Sequence, residues 1–276
     1  MEQIFFSITY PPIPITQIGP LSFSLHGVFA ALGFYFGANH ALKLAEKDGA
    51  DTVLFSDALT WAIFGAIIGA RFFTIPAHIL EPGYGLDDVF TLAGSYSIMG
   101  GMAGGIIAAF LKISYFNKQS FKQYGDYAAT GLILGTIIGR IGDLAIVEHL
   151  GRASNFILAY EIKPGYDVAP QHNGLECSPP LLTCGSFHHV ALYDLLFAFL
   201  IFFLFINMKK RFNFGQGSWI GLWAFWYGIQ RFILDTLRFG MGDSTIGNVT
   251  YNQIGGLLLA LIGLIVFFKN KNLEQI

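Results

Sequence analysis

GSWIGLWAFWYGIQRFILDTLR, residues 217–238, contains a twenty-residue run from Ser218 to Leu237 in which only Arg231 and Asp235 are charged. At 1.5 Å per residue, a helix of that length spans about 30 Å, the hydrocarbon thickness of a bilayer. Tyr227, Arg231, Asp235 and Arg238 recur at i, i+4, i+8 and i+11, which places them within about 80° of one another on a helical wheel. Such a stripe cannot face lipid, so the run belongs to a bundle with a polar interior.

Six further runs can cross hydrocarbon: residues 22–44, 53–73, 89–113, 126–147, 189–208 and 251–268. With 54% hydrophobic and 12% charged residues, the chain falls far from the roughly 25% charge of soluble domains. The expected fold is all-α, a polytopic membrane bundle of about seven transmembrane helices forming one domain over residues 1–276, with an extracytoplasmic loop at 149–188. The formal net charge of -2 suggests no nucleic-acid partner. Alternate connections hold Lys43, Lys47, Lys112, Lys118, Lys122, Lys209, Lys210, Arg211, Lys269 and Lys271, and the intervening ones hold only Arg152, Lys163 and Arg238. The positive-inside rule then puts the N-terminus and the 149–188 loop outside and the C-terminus in the cytoplasm. The prolines at 11, 12 and 14 and the lack of a basic n-region argue against a cleavable signal peptide. Cys177 and Cys184 lie in that outer loop, where a disulfide and two free thiols are equally open readings.

Gly65 and Gly69, Gly100, Gly101, Gly104 and Gly105, and Gly131, Gly135 and Gly139 set small residues at helical spacing in three spans, the pattern of closely packed membrane helices. Gly100 and Gly101 are also positions where a lipid headgroup can approach the backbone. GAIIGAR, ending in Arg71, and GTIIGR, ending in Arg140, echo each other; a shared packing rule accounts for this more simply than duplication. Arg71, Arg140 and Arg231 fall inside spans, where each costs about 2.5–3.5 kcal/mol on insertion scales and needs a partner or an aqueous cavity. Arg140, Asp143 and Glu148 follow one another at i, i+3 and i+8, so one cation meets two carboxylates. The two arginine clusters approach the same end of their helices and are expected to converge on one outward-opening hollow suited to phosphate, which the guanidinium fork fits well. His26, His188 and His189 sit at similar depth, but no HExxH or Cys/His spacing supports a metal, and no GxSxG, P-loop or dinucleotide fingerprint is present.

GRIGDLAIVEHLGR, residues 139–152, resembles the signature of the bacterial prolipoprotein diacylglyceryl transferases, and YGIQRFILDTLR within residues 217–238 is similar to their Tyr-Gly…Arg-Phe…acidic…Arg pattern. HGVFAALGFYFG, GAIIGAR, GSYSIMGGMAGG, HHVALYD and TYNQIGG match more weakly and in the family's order. The resemblance implies transfer of the diacylglyceryl group of phosphatidylglycerol to the thiol of a lipobox cysteine in a preprotein, with no cofactor, in the bacterial inner membrane. It implies that Arg140 and Arg231 hold the lipid phosphate, Glu148 and Asp143 orient them, and Tyr227 and Gly151 line the pocket. Asp235, Tyr193, Arg71, Gly100 and Gly101 are further substrate-binding candidates. The family's third-span His-Gly-Gly is here Met99-Gly100-Gly101, its signature asparagines are Asp143 and Ile146, its acidic residue after Arg231 is the shorter Asp235, and its His-Pro stretch reads His188, His189, Val190, Ala191. Methionine accepts no proton, so a base for the thiol falls to His26 or His188. A non-catalytic binder of lipid or preprotein, and a small-solute transporter with a charged pathway, are the other readings.

Overall fold

The computed structural model describes residues 7–14, 16–18, 21–75, 97–148, 150–166, 185–238, 245–246 and 249–271. Among these, seven helices follow the order of the apolar runs: α1 (Leu25–Lys47), α2 (Thr52–Phe72), α3 (Ile98–Phe110), α4 (Phe121–Ala145), α5 (Val190–Arg211), α6 (Ser218–Leu237) and α7 (Tyr251–Asn270). A π-helical turn over Leu111–Phe116 continues α3. By length and composition, α2, α4, α5 and α7 are each apolar enough to cross a membrane. Glycine, His26, Asn39 and His40 dilute the apolar character of α1, and Gln230, Arg231 and Asp235 dilute that of α6, where Gln230 and Asp235 are buried inside the bundle. Phe64, Ile67, Ile107, Phe203, Leu261 and Ile265 are exposed around the outside, a surface that lipid tails accept and water does not. The fold is an all-α polytopic membrane bundle.

The helices begin where short polar side chains satisfy free backbone N–H groups. Asp51 accepts from Leu54 N at 2.9 Å, and Ser97 accepts from Gly100 N at 3.1 Å. Thr250 and Gln253 form a reciprocal capping box at the start of α7. The start of α6 is capped from another helix, since Gly217 N and Ile220 N donate to the carboxylate of Asp126 in α4 at 2.7 and 2.9 Å.

Glycine sets the helix pairing. A methyl group added at Gly33 would stand 2.5 Å from the carbonyl oxygen of Gly135, and one at Gly37 would collide with that of Gly131, so α1 lies backbone-to-backbone on α4. Gly65 and Gly69 meet Gly100 and Gly104 between α2 and α3 in the same way, and Gly221 and Gly228 meet Gly263 and Gly256 between α6 and α7. The two echoing Gly-Arg segments therefore pack on different partners. Helix α4 is central: Ile133 and Ile137 are buried with Leu195, Ala198, Ile201 and Phe205 of α5 and with Trp219 and Trp223 of α6. Tyr124 and Tyr127, nearer its start, pack with Ala41, Ala45 and Phe55.

Short hairpins precede α1, as β1 (Thr16–Ile18) with β2 (Leu21–Phe23), and α7, as β6 (Thr245–Ile246) with β7 (Val249–Thr250). Across the expected 149–188 loop and one residue into the run that follows it, β3 (Leu150–Ala153), β4 (Tyr160–Glu161) and β5 (Ser186–His189) make an antiparallel sheet in the order β3-β5-β4. Val147, Leu150, Tyr160, Ile162 and Phe187 form the hydrophobic cluster at the sheet, and His189 is buried beside them. Tyr10 ties the N-terminal segment to it, with Oη donating to Leu144 O at 2.7 Å and lying 2.8 Å from His189 Nε2. Cys177 and Cys184 lie outside the described residues, as does the first part of the third expected span.

A side chain at a helix seam cannot be absorbed. Gly228→Val, whose Cβ would stand 2.6 Å from Ala260 N, is expected to lower the thermal midpoint in detergent by several degrees, whereas Gly27→Ala, with nothing within 4 Å, leaves it unchanged or slightly raised. Equal midpoints for the two variants would contradict the seam.

Candidate active site

Near its C-terminal end, α4 carries Arg140 and, one turn on, Asp143, and both side chains turn into the bundle. Arg140 Nη1 bonds Asp143 Oδ2, while Nη2 reaches Asp194 Oδ2 of α5 at 2.5 Å. The second oxygen of Asp143 bonds His26 Nδ1 in the first turn of α1, and that nitrogen stands 3.6 Å from Glu148 Oε2. Asp194 Oδ1 accepts from Gln230 Nε2 of α6. One chain of polar contacts, Glu148–His26–Asp143–Arg140–Asp194–Gln230, thus joins four helices. Asp143 is 1% exposed, so its charge depends on these partners rather than on solvent.

A cavity of about 380 Å³ opens beside this chain. His26, Arg140, Asp143 and Tyr227 line one part of it, and the rest is walled largely by Ala30, Gly33, Gly37, Ala38 and Ala41 of α1 and by Ala128, Gly131, Gly135 and Gly139 of α4. A methyl group at Gly139 would meet nothing within 4 Å, because the space it would fill is the cavity. Tyr227 is held against Trp223 by ring stacking at 5.4 Å.

Arg231 is placed differently from the expectation of a shared hollow. Its guanidinium lies 3.8 Å from Asp235 Oδ1, and neither residue is among those lining the cavity. Asp235 also faces Arg238 at 3.5 Å and accepts from Thr250 Oγ1 at the start of α7. The wheel put Tyr227 and Asp235 on one stripe, but α6 turns the first toward α4 and the second toward α7. The two charge clusters approach each other at Gly151 and Glu148. Gly151 pairs with Arg238 across an isolated bridge, and a side chain there would collide with Leu237 O and stand 2.8 Å from His188 Cβ. Gly151 is thus a point of close backbone approach and does not line the cavity.

His188 Nδ1 lies 3.3 Å from Tyr193 Oη, and both rings pack on Phe156, away from the cavity-lining residues. Burial pushes the His188 imidazole below its usual range. Gly100 and Gly101 face α2, where Phe73 and Gly69 crowd the first and Ala66 and Ala70 the second. Arg71 sits in the last turn of α2 and does not line the cavity. Asp194 and Gln230 escaped sequence reasoning. The available signal was that Asp194 is an acid inside an apolar run with no basic residue one turn away, so its partner had to come from another helix. His26, Asp143 and Glu148 place ligand atoms within 4.8 Å of one another, a spacing a metal accepts, yet Asp143 already bonds Arg140 and His26 through its two oxygens. The donor set is committed internally and does not argue for an ion.

Fold and cavity together define a membrane-embedded bundle in which a charged chamber runs into an apolar trough. The chain belongs to the prolipoprotein diacylglyceryl transferase family, whose model matches residues 13–269. It is similar to the phosphatidylglycerol–prolipoprotein diacylglyceryl transferase of Staphylococcus xylosus, 28% identical over 263 residues, covering 92% of this chain and 88% of the relative. It is likewise similar to the proteins of that name from Staphylococcus aureus, 30% identical over 268 residues (92% and 88% covered), and from a Nostoc species, 26% identical over 275 residues (96% and 93%).

Burial pushes the Glu148 carboxyl above the usual range; Asp143 adds to this, and His26, Arg140 and Arg238 oppose it. A carboxyl whose folded pKa is raised contributes stability that is complete below its unfolded pKa and is lost as pH rises through the folded value. Thermal midpoints in detergent should therefore be equal for wild type and Glu148→Gln at pH 4, with the variant the more stable at pH 8. The reverse order at pH 8 would show that ionised Glu148 is favoured by its surroundings.

Proposed function

We propose that this chain transfers the diacylglyceryl group of phosphatidylglycerol to the cysteine thiol of a lipobox-bearing prolipoprotein, forming a thioether and releasing glycerol phosphate. The cavity carries the reading. A guanidinium, an imidazole, a phenol and a carboxylate already paired with that guanidinium and imidazole stand at one part, with a trough rich in glycine and alanine beyond, and this supports a site for a phospholipid's phosphate head and hydrocarbon tail. Two of the five guanidinium N–H groups of Arg140 are engaged by carboxylates, and the remainder can meet phosphate oxygens. As sulfur attacks the glyceryl carbon, negative charge gathers on the departing phosphate, and a fixed cation in a water-poor chamber lowers that barrier. Asp143 and Asp194 hold the guanidinium in place, and Tyr227 closes the wall beside it. Arg231 and Arg238 steady Asp235, and Arg238 acts on the chamber through Glu148. With phosphatidylglycerol vesicles and a lipobox peptide, the purified protein should add a diacylglyceryl mass to the peptide, and Arg140→Gln should lower the rate by about 10²–10³-fold. Retention of lipid without any mass shift in the wild type would instead mark a non-catalytic binder.

The proposed setting is the bacterial plasma membrane, with the N-terminus and the β3–β5 sheet outside and the C-terminus in the cytoplasm. Ten basic residues fall in one set of connections and three in the other, which supports this orientation. In a background lacking Cys177 and Cys184, a cysteine placed at Arg152 should react with a membrane-impermeant maleimide in intact spheroplasts, and one at Lys210 only after lysis. The opposite pattern would invert the topology.

A further inference from the structure

The reaction needs a group to take the proton of the acceptor thiol. We infer that His26 is the general base, held in the required tautomer by Asp143. Among the described residues, His26 is the one imidazole that lines the cavity, and it does so beside Arg140. His188 and His189, the other imidazoles of comparable depth, are engaged by Tyr193 and Tyr10 and do not line the cavity.

The tautomer follows from the contacts. Asp143 is buried and its Oδ2 bonds the permanently charged Arg140, so it is a fixed acceptor, and Nδ1 of His26 must carry the hydrogen it receives. The ring's lone pair then lies on Nε2, which has no hydrogen-bond partner among the described residues. The His26 side chain is 45% exposed, so that lone pair is accessible while the far edge of the ring is anchored. Asp143 is a positioning residue in this scheme, and Arg140 both fixes it and waits for the phosphate. The charged groups around the ring are Asp143 and Glu148 from α4 and the segment after it, with Arg140 behind Asp143. The same carboxylate thus orients the base and the phosphate ligand, which sets the site of proton removal next to the site of charge build-up.

The step balances. His26 Nε2 takes the thiol proton, the sulfur electron pair forms the C–S bond to the terminal glyceryl carbon of the diacylglyceryl group, and the C–O bond from that carbon to the phosphate breaks. Its electron pair stays on the phosphate oxygen. The proton then passes from His26 to that oxygen, leaving glycerol phosphate and neutral His26.

This inference rests on the transferase reading, and His26→Asn tests it separately. Asparagine keeps a donor toward Asp143 and cannot take a proton. At pH 7 the variant should lose about 10²–10⁴-fold in kcat with KM for phosphatidylglycerol essentially unchanged. Its rate should then climb about 30-fold between pH 7 and pH 9.5, as a thiol of pKa about 8.5 ionises without help, so the gap to wild type narrows. Added imidazole should restore activity to His26→Ala at least tenfold, a readout taken within one protein. Wild-type activity in His26→Asn, or a deficit equal at every pH with no imidazole rescue, overturns the base and leaves the transferase reading standing. No mass shift with wild type overturns both.

Discussion

Arg140 is the constraint on which the site depends. A guanidinium held inside a membrane bundle is tolerable only with partners, and it has two: Asp143 on its own helix and Asp194 across the interface with α5. Each carboxylate then engages a second neighbour, His26 from α1 and Gln230 from α6, so a single buried cation fixes the relative positions of four helices. Removing one member of such a set typically costs 3–5 kcal/mol, because the remaining charge is left without solvent. The energy lies mainly in the penalty for disruption, which makes the arrangement a device of specificity more than of stability.

Glycine does two jobs along the α1–α4 seam. At Gly33, Gly37, Gly131 and Gly135 it lets two backbones touch, replacing the hydrophobic drive that lipid cannot supply with dispersion contact. One turn on, at Gly139, the same absence of a side chain leaves open space beside Arg140. A helix surface stripped of side chains is therefore both adhesive where its neighbour is close and hollow where the neighbour draws away.

Length and hydropathy sufficed for the bundle. The run 218–237 coincides with α6, and the run 251–268 falls two residues short of α7. The run 22–44 is displaced because Ser24 caps α1 and the helix carries on through Glu46 and Lys47, which an interface admits although hydropathy does not reward them. The loop at 149–188 hid a sheet, since strands of two to four residues leave no periodicity to read. Within the site, the contact of Arg140 with Asp143 was legible because i, i+3 spacing is a property of one helix. The contacts to Asp194 and His26 were not, because nothing in a single helix's spacing says which neighbour it meets. The same blindness joined Arg231 to Arg140 in expectation, whereas the structure turns Asp235 and Arg231 toward α7.

The first turn of α6 has no cap of its own and borrows one from Asp126 of α4 through two backbone N–H groups, while Gln230 near its other end is bonded to Asp194. A helix pinned at both ends cannot ratchet. Sliding α6 by one turn, about 5.4 Å, would part the amides of Gly217 and Ile220 from the Asp126 carboxylate and Gln230 from Asp194, at about 1–3 kcal/mol for each buried polar group left unpaired. The height of Tyr227, ten residues along α6 from Gly217, is therefore set by a carboxylate on the neighbouring helix, and register along the membrane normal becomes a quantity the sequence can tune from a distance.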